Sequence, residues 1–198
     1  MAAMSSHMSC AVLQRAACGA LRNLACIPET QVAIAQGGGL ERVVAAMAIH
    51  ASVASVQEAA ASALCNLASE PSNREPIVKQ GGVDRLLAAM EAHQEKPVVQ
   101  EEALLALRSL VLCEEGRAAI LRRGGLAKLV TAAAGHAQGE EKQDTPAGDG
   151  ASALQRAAAE TLRIFLAQGE EATERQTPKQ HEAKEEKAKQ EDRMQAEL

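Results

Sequence analysis

Ala20-Leu21-Arg22-Asn23-Leu24-Ala25 returns 43 residues later as Ala63-Leu64-Cys65-Asn66-Leu67-Ala68, and its leucines return once more at Leu107 and Leu110, with Ser109 in the asparagine position. Gly38-Gly39-Leu40, Gly81-Gly82-Val83 and Gly124-Gly125-Leu126 keep the same step. So do Ile34, Ile77 and Ile120, the glutamines Gln14, Gln57 and Gln100, the methionines Met4, Met47 and Met90, and the histidines His7, His50, His93 and His136. Several residue types in one register mean a stack of similar units, each covering its neighbour, in place of one closed core. A fourth copy of one segment, Leu154-Gln155-Arg156-Ala157-Ala158, echoes Leu13-Gln14-Arg15-Ala16-Ala17 after an insertion that falls in the polar run Gln138 to Gly150.

Composition points to helix. Of 198 residues 46% are apolar, much of that alanine, and aromatics make up 1%, with Phe165 alone and no Trp or Tyr. Sheets built without large β-formers are rare, whereas Ala, Leu, Glu, Gln and Arg favour helix. The formal charge of -5 argues against a general nucleic-acid binder, which carries a basic excess. No stretch approaches the length of a membrane span, and the start lacks a signal peptide's basic-then-apolar pattern. No membrane partner is expected, and the expected location is intracellular and cytoplasmic, with the nucleus open. Five cysteines, Cys10, Cys18, Cys26, Cys65 and Cys113, form no CxxC pair or Cys/His cluster and read as small buried apolar residues.

One unit parses into three helices. Thr30 is placed to cap a short helix carrying Val32, Ile34 and Ala35, which stops at Gly37-Gly38-Gly39 because glycine adopts the left-handed conformation that ends a helix. A second helix from about Leu40 to Ile49 has the stripe Leu40, Val43, Val44, Met47; a third from about Ala54 to Ser69 buries Val56, Ala60, Ala63, Leu64 and Leu67. Pro71 closes the unit. In the next one Asn73 caps the first helix, Val83, Leu86, Leu87 and Met90 stripe the second, and Pro97 sits in the first turn of the third. Alanines at Ala16, Ala17, Ala20, Ala59, Ala60 and Ala63 let helices approach closely.

Short helix, Gly-Gly, helix, then a long helix carrying Leu-x-Asn-Leu-Ala resembles the armadillo repeat, over roughly Met4 to Ala167. The histidine after the second helix and the Val-Gln-Glu-Ala opening of the third are similar to small armadillo-repeat-containing proteins and to the armadillo segment of leucine-rich-repeat kinases. The resemblance implies an all-α, right-handed α-solenoid, an armadillo/HEAT-like superhelix of about three full repeats after a partial N-terminal one. Residues 1–29 are the partial repeat, 30–72 and 73–113 are full repeats, 114–168 is a repeat with a polar loop insertion at 137–150, and 169–198 is a charged tail, frayed helix or disordered. It further implies a concave groove lined by third helices, whose asparagines clamp an extended peptide. Carried over by position, these are Asn23 and Asn66, with Ser109 as a weaker version, beside a basic ladder of Arg22, Arg108 and Arg163. Importin-α-type arrays add a tryptophan four residues before the asparagine; Gly19, Ser62, Leu105 and Glu160 stand there instead, which argues against importin-like binding of basic peptides.

The expected function is therefore a noncatalytic protein–protein interaction module that takes a protein or peptide in this groove, with no cofactor, no metal and no catalytic residues. The histidines fit helix C-terminal capping better than a metal site, since successive units lie roughly 10 Å apart. The alternative is a structural scaffold, or a fragment of a larger armadillo protein, contacting partners through an uncapped N-terminal edge. Met1-Ala2-Ala3-Met4-Ser5-Ser6-His7 aligns with the end of a second helix, so further repeats are expected ahead of this chain.

Overall fold

The computed structural model describes residues 2–134 and 154–168; the expected polar insertion and charged tail fall outside them. The described residues are helical, with turns between helices and no strand. The chain divides into two units, Met1–Ile164 and Phe165–Leu198, and the architecture below is that of the first. Its helices are α1 (Ala2–Ser6), α2 (Ala11–Leu24), α3 (Pro28–Gln36), α4 (Gly39–Ile49), α5 (Ala54–Leu67), α6 (Pro71–Lys79), α7 (Gly82–Ala92), α8 (Pro97–Leu110), α9 (Glu114–Arg122) and α10 (Gly125–Ala134). A further helix, α11 (154–168), runs across the boundary between the two units.

Most of these helices pack on a counterpart in a neighbouring unit. The third helices α2, α5 and α8 form one row, the first helices α3, α6 and α9 another, and α4 lies against α7. Within a unit, the second helix packs on the third, α4 on α5 and α7 on α8. The apolar stripes read from the sequence face these contacts: Leu40, Val43, Val44 and Met47, then Val83, Leu86, Leu87 and Met90, are all buried. In the third-helix row, Val56, Ala60, Ala63, Leu64 and Leu67 lose all exposure, as do Ala103, Leu107 and Leu110. Alanine at the crossing points lets leucines on either side interlock, each contributing about 2–3 kcal/mol of apolar burial.

The Gly-Gly pair makes two separate demands. Gly38, Gly81 and Gly124 have φ of 76°, 83° and 63°, the left-handed region that costs any other residue. The turn they make bends α3 against α4 by 73°. The glycine that follows opens the next helix against the previous one: a Cβ on Gly82 would stand 2.5 Å from Ile77 Cγ2, and one on Gly125 2.9 Å from Ile120 Cγ2. The α3–α4 pair passes the length and composition test for a bent membrane span, but no single helix among the described residues is long and apolar enough to cross a membrane.

The first helices begin earlier than the sequence suggested. Pro28 and Pro71 occupy the first helical turn of α3 and α6, so Pro71 opens a helix and does not close a unit. Thr30 is no cap; its hydroxyl turns back to the carbonyls of Leu24 and Ile27. Asn73 is no cap either. It is 2% exposed, and its Nδ2 donates to Leu67 O at 3.0 Å and to Gln31 O of the preceding unit at 3.2 Å. The cap of α6 is Glu70, whose carboxylate accepts from the Ser72 N–H (3.1 Å) and hydroxyl (2.8 Å), which holds its pKa below the ordinary carboxylate value. At the place of Thr30 and Asn73 the third unit has Gly116, where a Cβ would overlap Leu110 O.

The glutamine track fastens second helix to third. Gln57 Nε2 donates to Met47 O (3.0 Å) and His50 O (2.8 Å), the open carbonyls at the end of α4. Gln14 does the same to Met4 O and His7 O, and Gln100 to Met90 O and His93 O. His50 and His93 do stand at helix C-caps, as expected. Their rings, however, do not serve their own helix: His50 Nε2 reaches Met8 O and His93 Nε2 reaches Ala51 O, both at 2.8 Å, in the preceding unit. Facing a carbonyl, each Nε2 carries the proton.

Two glycines outside the turns separate packing from propensity. Gly19 lies within α2 with open space at its Cβ position, whereas Gly116 lies in α9 against Leu110 O. Gly19→Ala is expected to raise stability by about 0.5–1 kcal/mol, and Gly116→Ala to lower it by about 1–3 kcal/mol. Thermal and urea unfolding of the two variants checks both signs.

Candidate functional site

Four positions on each third helix, spaced i, i+4, i+7 and i+8, share one face. On α2 they are Arg15, Gly19, Arg22 and Asn23; on α5, Glu58, Ser62, Cys65 and Asn66; on α8, Glu101, Leu105, Arg108 and Ser109; on α11, Arg156, Glu160, Arg163 and Ile164. All but the buried Ser62 are exposed or half-buried, while on α5 and α8 most of the positions between them are buried. The six residues marked by the sequence, Asn23, Asn66, Ser109, Arg22, Arg108 and Arg163, do lie on this face.

Their bonds set them apart from one another. Asn66 Nδ2 donates to Arg22 O of the preceding third helix at 3.0 Å and lies 3.5 Å from Cys26 Sγ, so it fastens α5 to α2. Ser109 donates to Leu105 O at 3.4 Å in its own helix. Arg108 Nη1 is ion-paired with Glu160 Oε2 at 2.6 Å, which joins α8 to α11 and neutralises that rung. Both side chains are about half exposed, so the pair is worth on the order of 0.5 kcal/mol. Asn23 accepts from Arg22 Nε at 3.3 Å, and its Nδ2 has no acceptor among the described residues. Arg163 is exposed. The basic groups left on the face are Arg15 and Arg22 on α2 and Arg156 and Arg163 on α11, with Glu58 and Glu101 presenting carboxylates on α5 and α8 between them.

The cysteines divide as well. Cys18 alone is fully buried; Cys65 and Cys113 are half-buried, and Cys10 and Cys26 are exposed. Only Cys18 meets the expectation of a buried apolar residue, because it lies on the side of α2 that packs against α5. Burial pushes the Cys18 thiol up to about 12. The Cys65 thiol is also raised, by burial first and Glu102 second, against the opposing influence of Arg108 and the Ser109 hydrogen bond. Burial likewise raises Cys113. These three stay protonated near neutral pH and are poor nucleophiles.

A cleft the sequence did not foretell lies between α7, the start of α8, α10 and the start of α11. Its volume is about 680 Å³, and Met90, Glu91, Gln94, Pro97, Lys128 and Thr131 help line it. On its wall Lys128 Nζ meets Glu91 Oε2 at 3.1 Å and Leu87 O at 3.5 Å, and Glu95 adds a second carboxylate. No signal in a period of 43 residues marked it. Elsewhere on α10 Val130 is exposed, although the equivalent Val44 and Leu87 are buried.

The unequal bonding of the two asparagines gives an expected outcome. Asn66→Ala should lower stability by about 1 kcal/mol, while Asn23→Ala leaves the unfolding midpoint unchanged. Denaturant titration of both variants against the parent chain decides it.

Comparison with protein-family models, with curated protein sequences and with solved structures returns no match for this chain.

Proposed function

We propose that the chain is an armadillo-like α-solenoid acting as a noncatalytic protein-interaction module, with the third-helix face receiving an extended protein segment. The observation that carries this reading is the continuity of that face: the same four positions per helix repeat over α2, α5, α8 and α11. A regular row of this kind offers evenly spaced contacts to an extended chain.

The bonding on the face narrows the ligand. Asn66 and Arg108 are occupied within the protein, so the clamp by a ladder of asparagines reduces to Asn23. Arg15 and Arg22 favour an acidic residue above α2, and Glu58 and Glu101 favour a basic one above α5 and α8. The preferred segment carries charges of both signs in a fixed order.

A second reading has its own observation. Leu24 is 50% exposed although its counterparts Leu67 and Leu110 are 0% exposed. An apolar helix face left open in this way marks an interaction edge, as in a scaffold that joins other proteins end-on.

Selection of extended peptides from a random display library against the full chain tests the first reading. Enriched peptides should place acidic before or after basic residues in one consistent order. Arg22→Glu together with Glu101→Arg should weaken them by about tenfold or more. Binding indifferent to both reversals would remove the third-helix face as the site.

A further inference from the structure

One row on the third-helix face carries charge that the protein leaves unanswered. Arg15 on α2, Glu58 on α5, Glu101 on α8 and Arg156 on α11 stand at the same register of successive third helices, and each is exposed or half-buried. None of the four has an ion-pair partner among the described residues. Neighbours of opposite sign, Arg15 and Glu58, then Glu101 and Arg156, do not pair with each other although their helices meet. The row reads basic, acidic, acidic, basic. The other charges at the face positions keep this order: Arg22 and Arg163 reinforce the two basic rungs, and Arg108 and Glu160 cancel.

The step between rungs decides which backbone can follow them. Helices in contact lie about 8–10 Å apart. Here the buried Ala60 and Ala63 on α5 and Ala103 and Ala106 on α8 keep the crossings close, and the Asn66 side chain reaches Arg22 O of α2. A β-strand returns a side chain to one face at every second residue, about 6.6 Å, so it falls behind the rungs. Taken at every fourth residue, about 13 Å, it overshoots them. A polyproline II helix returns a side chain to one face at every third residue, about 9.3 Å. Three steps of the row span about 24–30 Å, and nine residues of polyproline II rise about 28 Å.

We infer that the third-helix face receives its segment as a polyproline II helix with a charged residue at every third position, in the order acidic, basic, basic, acidic. Each charged side chain of the segment meets one of Arg15, Glu58, Glu101 and Arg156. This rests on the third-helix reading proposed above and specifies the conformation and charge register of the ligand. No aromatic residue stands at the face positions, so recognition lies in the charges. Proline between them holds the spacing and lowers the entropy lost on ordering. A segment of one sign is the wrong complement: an acidic one meets Glu58 and Glu101, a basic one Arg15 and Arg156.

Three fluorescent peptides, titrated into the full chain in low-salt buffer and followed by anisotropy, test this. The first has ten residues: glutamate at both ends, lysine at the fourth and seventh positions, and proline elsewhere. The second exchanges glutamate and lysine. The third keeps the charge order of the first but places the charges at every second residue, with threonine between. The first is expected to bind saturably, and the second and third each more weakly by about tenfold. Glu58→Lys with Glu101→Lys in the full chain should erase the preference between the first two. Both positions are half-buried on the face, and far-UV circular dichroism verifies that the fold is retained. Equal binding of the first and second peptides to the parent chain would overturn the charge row. Equal or tighter binding of the third would overturn the polyproline II register. In either case, display-selected ligands that still weaken on reversing Arg22 and Glu101 leave the third-helix reading in place. If no peptide binds, the inference falls; if the selected ligands are also indifferent to those reversals, the third-helix reading falls with it.

Discussion

Close approach of successive third helices is the constraint on which this molecule rests. α5 lies between α2 and α8, and the residues at the crossings are alanines, Ala60 and Ala63 on one side and Ala103 and Ala106 on the other, all without exposure. A larger side chain at any of these would push the helices apart and separate Leu64, Leu67, Leu107 and Leu110 from the partners they interlock with. Because no unit closes a core by itself, stability is a sum of such nearest-neighbour contacts. The scarcity of aromatic residues follows from the same geometry: helices this near each other leave no volume for rings.

Polar groups then fix what burial leaves free. Sliding one helix along another would cost little apolar area, but it would break the glutamine bonds to the ends of α1, α4 and α7, each of which satisfies two carbonyls that a helix terminus leaves open. Position 31 and its counterparts serve the same end with different chemistry. Gln31 donates to Ala25 O, Arg74 to Ala68 O and Arg117 to Val111 O. A substitution from amide to guanidinium is tolerated there because both supply an N–H at similar reach, and only the donor matters.

The helices and most of their buried faces were legible in the sequence, since burial in a layered array repeats whenever the residue does. Leu40, Met47, Leu64 and Leu107 could be placed from their spacing alone. The starts of the first helices were not legible. Thr30 and Asn73 have cap chemistry, and a cap reads from the sequence as local; here their polar atoms answer carbonyls at the end of the preceding third helix and, for Asn73, in the neighbouring unit. The candidate site was half legible. Its residues share a face because periodicity puts them there, but which of them have spare hydrogen-bonding capacity depends on contacts 40 or more residues away, as for Asn66 with Arg22 and Arg108 with Glu160. His50 and His93 mislead in the same way: the cap position is local, and the bond made there is not.

His50, Asn66, Asn73, His93 and Lys128 all donate to carbonyls of the preceding unit, a one-way run that has a bearing on how such a chain is made. Synthesis proceeds from the amino terminus, and each unit's donors answer acceptors in a unit that has already left the ribosome. Asn66, Asn73 and His93 thus meet their partners on emergence, without waiting for sequence still to be translated. The polarity of these bonds matches the polarity of translation, so the growing protein can add units to a settled edge, as bricks are laid on a finished course.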